Sequence, residues 1–414
     1  MQPFTWIFLI VLTLMIATRL WLNLRQSRHV RQHRGAVPDD FAERISLEEH
    51  QKAADYTLAR ARLSRINLFI DAALLLVWTL GGGLQLLDSG WRLTGWNALY
   101  LGTAVILSAM LIMSVLELPA TIYQTFVLEA RFGFNRTTPG TFIADRIKGL
   151  LLTLVIGTPL ILLVLWLMSA MGNWWWIYVW AVWLGFSLFM AWAWPTFIAP
   201  LFNRFKPLED ETLRKRVADL LQRCGFTSRG VYVMDGSRRS GHGNAYFTGL
   251  GRNKRIVFFD TLLDSLKADE IEAVLAHELG HFKRRHIIKS MVMMALVSLA
   301  ALALLAWLMR QPWFYTGLGV ETPSLYMALL LFIMVGPVFG FFLNPLFAWR
   351  SRRHEFEADE FAAEQTDGRA LIRALVQLYR ENASTLTPDP LHSIFYDSHP
   401  PAAVRIQHLN AQSH

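Results

Sequence analysis

The chain of 414 residues is 53% hydrophobic and only 17% charged. Because charged residues make up about a quarter of an ordinary soluble domain, this composition excludes a typical soluble protein and favours a membrane protein with several spans. The net charge of +8 does not indicate a nucleic-acid partner, since Lys and Arg flank the apolar runs. The single cysteine, Cys224, excludes an intrachain disulfide and a zinc site built from cysteines.

Seven apolar runs are long enough for the roughly 20-residue helix that crosses a bilayer. They lie near residues 3–22, 66–87, 99–118, 149–171, 174–197, 290–309 and 324–347. Only Gly172 and Asn173 separate the fourth run from the fifth, which predicts a tight helical hairpin. No basic segment precedes the first run, so we expect a retained span rather than a cleaved signal peptide.

Lys and Arg residues alternate from one connection to the next. The 23–65 connection is rich in Arg, whereas the connections after the second and sixth runs carry only Arg92 and Arg310. The positive-inside rule therefore predicts an outside N-terminus and a cytoplasmic 23–65 connection. We predict four parts along the chain: five spans with their loops over 1–197, a cytoplasmic catalytic segment over 198–289, two spans over 290–347, and a cytoplasmic tail over 348–414.

The cytoplasmic segments combine helices with short strands. Amphipathic or apolar-striped patterns predict helices over 208–223, 268–285 and 353–381. Runs of β-branched and aromatic residues predict strands at 231–234, 245–248 and 255–259, with a turn at 249–253.

One short motif carries recognisable chemistry. Residues His277 to His281 read His-Glu-Leu-Gly-His, the HExxH pattern. Histidines four residues apart share one face of a helix, so both imidazoles can reach one Zn²⁺. Glu278 lies where a carboxylate can take a proton from the attacking water. Because a bare HExxH pattern also arises by chance, the zinc interpretation requires a third protein ligand.

The tail offers that ligand in the segment from Arg352 to Asp359. Glu355 and Asp359 are again four residues apart, so Glu355 can complete a His₂Glu set while Asp359 accepts the N–H of a ligand histidine. The alternative is that both acids pair with Arg352 and Arg353 on a solvated helix face. Spacing alone leaves the two interpretations open.

Together with these residues, longer motifs resemble the CAAX prenyl protease 1 family of integral-membrane zinc proteases, with the HtpX-like proteases as more distant relatives. The similar segments are 125–135 (TFVLEARFGFN), 198–203 (IAPLFN), 235–247 around His242, the third-ligand helix at 355–359, and 396–405 with His399 and Arg405. The resemblance extends through most of the chain.

The resemblance implies a mainly α membrane protein in which seven transmembrane helices surround an intramembrane chamber. A cytoplasmic zincin-like α+β catalytic domain would close the zinc end of that chamber, with one Zn²⁺ per chain. The family pattern also implies that His399 and Arg405 return to the zinc site from the tail. His399 then stabilises an oxyanion, and Arg405 orients that region or binds a peptide carboxylate.

The resemblance further implies that a peptide substrate adds as a strand along residues 244–247. These residues are Asn244, Ala245, Tyr246 and Phe247. Backbone pairing of this kind holds an extended peptide with loose sequence selectivity. We expect His242 to be a cleft or loop residue rather than a metal ligand.

The sequence lacks a long insertion between the sixth and seventh spans, and this compactness suggests a bacterial inner-membrane protein, with the endoplasmic reticulum membrane as the alternative. Prenylated CAAX substrates would then be less expected, and a quality-control protease acting on membrane-associated peptides without prenyl dependence is equally plausible. Expected partners are therefore a peptide or protein substrate, prenylated or not, and membrane lipids.

Two hypotheses of other classes remain at this point. A seven-helix transporter with a structural zinc would need polar groups within the spans, and Asp71, Glu117 and Asn344 are the few candidates. A membrane chaperone could keep the fold without hydrolysis. Zinc-dependent cleavage of a peptide would separate the protease from both.

Overall fold

The computed structural model describes residues 2–226, 228, 230–248 and 255–412. The predicted turn at 249–253 therefore lies outside the described residues.

The helices of the N-terminal half are α1 (Pro3–His33), α2 (Leu47–Trp78), α3 (Gly83–Arg92), α4 (Ala98–Tyr123), α5 (Pro139–Leu152), α6 (Thr158–Ala170), α7 (Trp175–Ala193) and α8 (Ala199–Phe202). The remaining helices are α9 (Glu211–Arg223), α10 (Asp260–Ser265), α11 (Ala268–Lys283), α12 (His286–Leu308), α13 (Pro312–Thr316), α14 (Leu325–Gly340), α15 (Asn344–Gln365), α16 (Gly368–Glu381), α17 (Pro390–Tyr396) and α18 (Ala402–Gln412).

The apolar helices confirm the predicted seven-span fold. Six helical stretches of the described residues are long and apolar enough to cross a membrane, and the pair α2–α3 makes a seventh that is bent by 45°. The bend falls in a glycine-rich segment, where Gly82 adopts a left-handed conformation with a φ of 76°. A side chain on Gly81 would approach the Val77 backbone to 2.8 Å, so the turn requires glycine there.

Two of the spans pass through wide helical turns beside proline residues. A π-helical turn at Thr153–Gly157 joins α5 to α6 just before Pro159, and another at Trp194–Ile198 joins α7 to α8 at Pro195. Proline lacks the N–H that a regular helix needs, so such turns are expected at these positions.

The membrane helices enclose a cavity of about 500 Å³ between α1, α2, α4 and α14. Its wall is mostly apolar, with side chains such as Leu12, Leu75 and Val338. Asp71, Glu117 and Asn344, the candidates for a transport path, all line this cavity. The space matches the chamber that the family resemblance implied.

The small sheet has four strands: β1 (Phe205–Pro207), β2 (Val231–Met234), β3 (Ala245–Thr248) and β4 (Arg255–Phe259). Their spatial order is β1-β2-β4-β3, with β2 and β4 parallel and the other two pairs antiparallel. Strand β3 pairs with β4 from Ala245 opposite Phe258 to Thr248 opposite Arg255, so it forms an edge of the described sheet. The three predicted strands are present, and β1 was not predicted.

The soluble core forms where this sheet meets α9, α11 and α16. Val217, Leu220, Phe258, Leu275 and Leu279 are fully or almost fully buried in it. Burial of such side chains stabilises the domain by about 1.5–3 kcal/mol each. The core thereby fixes α11, the helix that carries the HExxH residues.

Both helices that carry candidate ligands are joined to membrane spans. Helix α11 ends at Lys283, and α12 begins three residues later at His286 after a left-handed Arg285 with a φ of 57°. Helix α15 begins at Asn344 inside the predicted seventh span and continues to Gln365. The single helix predicted over 353–381 is therefore wrong: it is broken at Thr366, and Asp367 caps α16 by accepting a hydrogen bond from the Arg369 N–H.

Helices α11 and α15 pack at close range through Gly280. A Cβ at Gly280 would lie 2.9 Å from the Ala358 Cα and 3.0 Å from the Ala358 carbonyl oxygen. Neither backbone atom can move away without displacing its helix. The glycine inside the HExxH motif is therefore a packing requirement.

We expect Gly280→Ala to destabilise the protein by about 1–3 kcal/mol, because the added methyl group overpacks the contact between two backbones. The thermal unfolding midpoint in detergent measures this effect. Gly140→Ala is the matched control, since a Cβ at that helical glycine meets nothing within 4 Å. Equal midpoints for the two variants would contradict the packing requirement.

Candidate metal centre and active site

Helices α11 and α15 bring His277, His281 and Glu355 together. The Nε2 atoms of the two histidines are 3.2 Å apart. Glu355 Oε2 lies 3.4 Å from His277 Nε2, and Glu355 Oε1 lies 3.3 Å from His281 Nε2. Among the described residues, these three side chains are close enough together to bind one metal ion.

The spacing of these atoms fits a tetrahedral metal ion. Ligand atoms bound about 2.0–2.1 Å from a tetrahedral zinc are about 3.3 Å apart. The two Nε2 atoms are 3.2 Å apart, and each lies 3.3–3.4 Å from a different oxygen of the Glu355 carboxylate. Glu355 is buried, and its Oε2 atom has no hydrogen-bond partner among the described residues. A buried carboxylate oxygen without a partner is costly, and a cation at this position would satisfy it.

The other nitrogen of His277 contacts a buried ion pair. Asp359 Oδ1 lies 2.8 Å from His277 Nδ1, so the carboxylate accepts the Nδ1–H and leaves Nε2 as the atom that faces Glu355. Arg405 donates to both oxygens of Asp359, over 2.8 Å from Nε and 2.5 Å from Nη2. The bidentate pair holds Asp359 in place and ties helix α18 to the site.

His281 is oriented through a second imidazole rather than directly by a carboxylate. Its Nδ1 lies 3.0 Å from Nδ1 of His286, and His286 Nε2 lies 3.0 Å from Glu357 Oε2. If Glu357 accepts the Nε2–H of His286, then His286 Nδ1 accepts the Nδ1–H of His281 and leaves His281 Nε2 free. His354 stacks on His286 with ring centroids 4.1 Å apart and fixes its plane.

The sequence reading missed His286, Glu357 and His354. His286 follows the HExxH motif by five residues, and Glu357 lies two residues after Glu355. These spacings do not place side chains on a shared helix face, so periodicity gives no signal. The contact forms at the break between α11 and α12, where Arg285 adopts a left-handed conformation.

The carboxylates around His277 favour a positive charge at its Nε2 atom, either a proton or a metal cation. Burial of the imidazole lowers its pKa, but the adjacent carboxylates of Asp359 and Glu355 outweigh burial and raise the pKa to about 9. Carboxylates that stabilise a proton on this ring also stabilise a metal cation beside it. The charges around His277 therefore support the same conclusion as the interatomic distances, a cation site between His277, His281 and Glu355.

The alternative pairing of Glu355 and Asp359 with Arg352 and Arg353 is not what the structure contains. Arg352 instead donates from Nη1 to three tail carbonyls, including that of Asp397 at 2.8 Å. Arg353 lies 3.4 Å from Glu357. Arg352 therefore holds the turn that precedes His399 against α15.

That turn places His399 beside the three clustered residues. His399 Nε2 lies 3.4 Å from Glu355 Oε1, and its side chain is 63% exposed. Its Nδ1 is 3.0 Å from the Ser398 hydroxyl. His399 thus faces the cluster from the solvent side, where a substrate carbonyl would approach.

A cavity of about 340 Å³ leads to the cluster. Its wall includes Glu278, His399 and Arg405 together with Asn244 and Ala245 of the predicted substrate strand. The Glu278 carboxylate makes no hydrogen bond or ion pair with the described residues, so it is available to a substrate in the cleft. Tyr246 and Phe247 continue along edge strand β3.

His242 supports the segment before β3 and is not near the candidate ligands. Its ring stacks on Phe134 at 4.3 Å, and its Nδ1 lies 3.2 Å from the Asn382 side-chain oxygen. The same oxygen accepts the Gly243 N–H at 3.2 Å. His242 therefore helps to place Asn244, which agrees with the expected loop role.

Two family models together account for almost the whole chain. "CAAX prenyl protease N-terminal, five membrane helices" matches residues 26–204, and "Peptidase family M48" matches residues 207–413. The chain belongs to peptidase family M48. It is therefore a multi-pass membrane metalloendopeptidase, and this membership disfavours a transporter with a structural zinc.

Named relatives of this family are similar over most of their length. The CAAX prenyl protease 1 homologue of Arabidopsis thaliana is 33% identical over 95% of this chain and 94% of its own length. The CAAX prenyl protease 1 of Saccharomyces cerevisiae is 37% identical over 72% of this chain and 69% of its own. The crystal structure of S. mikatae Ste24p superposes with a TM-score of 0.91 at 31% identity, covering 99% of both chains.

The plant relative corrects one inference from the sequence. Compactness was expected to indicate a bacterial protein, but this chain covers 94% of the Arabidopsis protein. A eukaryotic M48 protein can therefore be equally compact. Length does not support a bacterial origin.

We expect Glu357→Gln to weaken metal affinity about tenfold, the lower end of the range for residues that orient metal ligands. The neutral amide is a weaker acceptor for His286, so the hydrogen bond that orients His281 weakens. Competition with a chelating dye at fixed pH measures the affinity. Glu360→Gln, the same change three residues further along α15, is the control, and equal affinities for both variants would remove Glu357 from this role.

Proposed function

We propose that this protein is a zinc-dependent endopeptidase with one Zn²⁺ per chain, held by His277, His281 and Glu355. The proposal rests on the convergence of these three side chains, which bring one ligand atom each within 4.8 Å of the others at the end of an open cleft. Structural zinc sites use four protein ligands, whereas hydrolytic sites keep one position open. The His₂Glu set belongs to the second kind.

The chain supplies the proton transfers of peptide hydrolysis. A bound zinc ion contributes Lewis acidity, which activates water and polarises the substrate carbonyl. The Glu278 carboxylate takes the proton from the attacking water and then delivers it to the leaving amine. Asp359 and the His286–Glu357 pair keep the Nδ1 protons on His277 and His281 throughout.

His399 and Arg405 complete the active site from the tail. His399 faces the cleft and donates a hydrogen bond to the oxyanion of the tetrahedral intermediate. The buried Arg405 guanidinium, 3.7 Å from Glu355 Oε2 and paired with Asp359, orients the carboxylates. In this proposal Arg405 is a positioning residue, and the alternative of direct substrate binding is not needed.

The substrate lies along β3 as an added strand. Asn244 and Ala245 border the cleft, and the outer backbone groups of β3 have no strand partner in the described sheet. Backbone pairing with Asn244, Ala245, Tyr246 and Phe247 would hold an extended peptide with its scissile bond near Glu278. His242 and Asn382 keep the first of these residues in place.

We assign the substrate class to membrane-associated peptides ending in a CAAX-type sequence with a prenylated cysteine. The relatives with this name support the assignment. The mostly apolar cavity between α1, α2, α4 and α14 also supports it, because that cavity reaches Tyr396, three residues before His399. An isoprenoid chain in this space would leave the peptide near the cleft.

The catalytic domain faces the cytoplasm in this proposal, as the Arg-rich 23–65 connection indicates by the positive-inside rule. In both the bacterial inner membrane and the endoplasmic reticulum membrane that side is the cytoplasm. Prenylated peptides made in the cytoplasm would reach the site from this side.

Glu278→Gln should keep the metal and reduce peptide cleavage by at least about 10²-fold, because the amide cannot act as a general base. Metal content by mass spectrometry and cleavage of a quenched peptide provide the two readouts. Glu364→Gln, an exposed position on α15, is the control. Full turnover by Glu278→Gln would exclude it as the base, while no turnover by the wild type would favour the non-hydrolytic chaperone.

Prenylated and unprenylated versions of one CAAX peptide test the substrate class. We expect kcat/KM to be at least about tenfold higher for the prenylated peptide, since two buried methylene groups already supply that factor. Mass spectrometry locates the cleaved bond. Equal rates would favour a quality-control protease without prenyl dependence.

A further inference from the structure

A further cavity, lined by basic side chains, lies apart from the candidate active site and the membrane chamber. It measures about 560 Å³, is open to the surface, and is lined by α1, α2, the end of α4 and the segment after it. Four arginines line it: Arg31 from α1, Arg62 and Arg65 from α2, and Arg131 from the segment after α4. Leu63 and Leu128 provide an apolar floor, and the lining contains no carboxylate.

No carboxylate of the described residues lies within ion-pair distance of these four guanidinium groups, although Asp55 interacts with Arg131 at longer range. Nearby Arg34, by contrast, pairs with Asp55 over 2.8 Å. Arg65 is held instead by neutral acceptors, the Asn23 side-chain oxygen at 2.6 Å and the Ser27 hydroxyl at 3.0 Å. Like charges gathered in one cavity repel one another unless an anion joins them.

The cavity is located where the hydrocarbon of a bilayer gives way to headgroups. It follows the predicted end of the first span at residue 22 and precedes the predicted start of the second at residue 66. Apolar side chains on its membrane side are exposed, including Ile66 at 52% and Tyr123 at 50%. Phe69 and Ile70 extend this exposed apolar surface toward the membrane interior.

Different residues of α2 line the membrane chamber and the basic cavity. Asp71 lines the membrane chamber, and Asn67 lines a small cavity beside it. Arg62, Arg65 and Ile66 line the basic cavity. A ligand in the basic cavity therefore contacts neither the candidate metal ligands nor the proposed substrate strand.

We propose that the basic cavity binds the phosphate of an anionic phospholipid in the leaflet that faces the catalytic domain. Guanidinium groups bind phosphate through paired, charge-assisted hydrogen bonds, and basic pockets between spans are suited to lipid headgroups. The exposed apolar residues below the arginines would contact the acyl chains. A free phosphate shares the headgroup chemistry but would leave this apolar surface unused.

Native mass spectrometry of the full-length protein released from nanodiscs tests the proposal. We expect one phosphatidylglycerol molecule to be retained in preference to phosphatidylcholine. Arg62→Gln combined with Arg131→Gln should reduce this retention about 30-fold, from about 1 kcal/mol for each arginine near an anionic surface. Arg28→Gln combined with Arg44→Gln removes the same charge outside the cavity and should retain the lipid.

The two sources of phosphate are separated by competition. Inorganic phosphate at millimolar concentration should not displace the bound phosphatidylglycerol. Displacement by inorganic phosphate, equal retention of phosphatidylcholine by the wild type, or equal losses in the two double variants would each overturn the lipid site. The comparison of the two lipids on the wild type needs no variant, so misfolding of a mutant cannot mask the result.

Discussion

The contact between α11 and α15 is the interaction on which the remainder of the site depends. Gly280 allows the two backbones to approach until a Cβ would meet Ala358 at 2.9 Å. Because the helices are this close, the imidazoles of His277 and His281 on α11 lie within 3.4 Å of the Glu355 carboxylate on α15. A larger residue at Gly280 would separate the ligand atoms, and a metal ion would lose its tetrahedral fit.

Membrane spans hold both of these helices in position. Helix α11 leads into α12 after two residues, and α15 begins within the seventh span. The site therefore lies at the membrane edge, next to the cavity enclosed by the spans. This arrangement explains why the soluble domain is divided along the chain: each half continues from a different span, and the tail returns through Arg352 and Arg405 to close the site.

The two histidines of the HExxH motif are oriented by different means. Asp359 contacts His277 directly, whereas Glu357 reaches His281 through His286. A buried ion pair with Arg405 fixes the first contact, while ring stacking on His354 fixes the second. Packing thus supports the candidate metal ligands from two directions, as residues that orient metal ligands commonly do.

The sequence by itself determined the spans, the three longer strands, the HExxH pair and the candidacy of Glu355, because hydropathy and helical periodicity are local properties. It could not choose between Glu355 as a ligand and as a partner of Arg352, since that choice depends on which face of α15 meets α11. The break at Thr366 and the contact of His286 with His281 also escaped it, and the return of Arg405 from the tail was expected only through the family resemblance, without its partner Asp359. Only the tertiary structure showed which face of α15 meets α11 and which side chains meet there, because such contacts join residues whose separation in the chain carries no periodic signal.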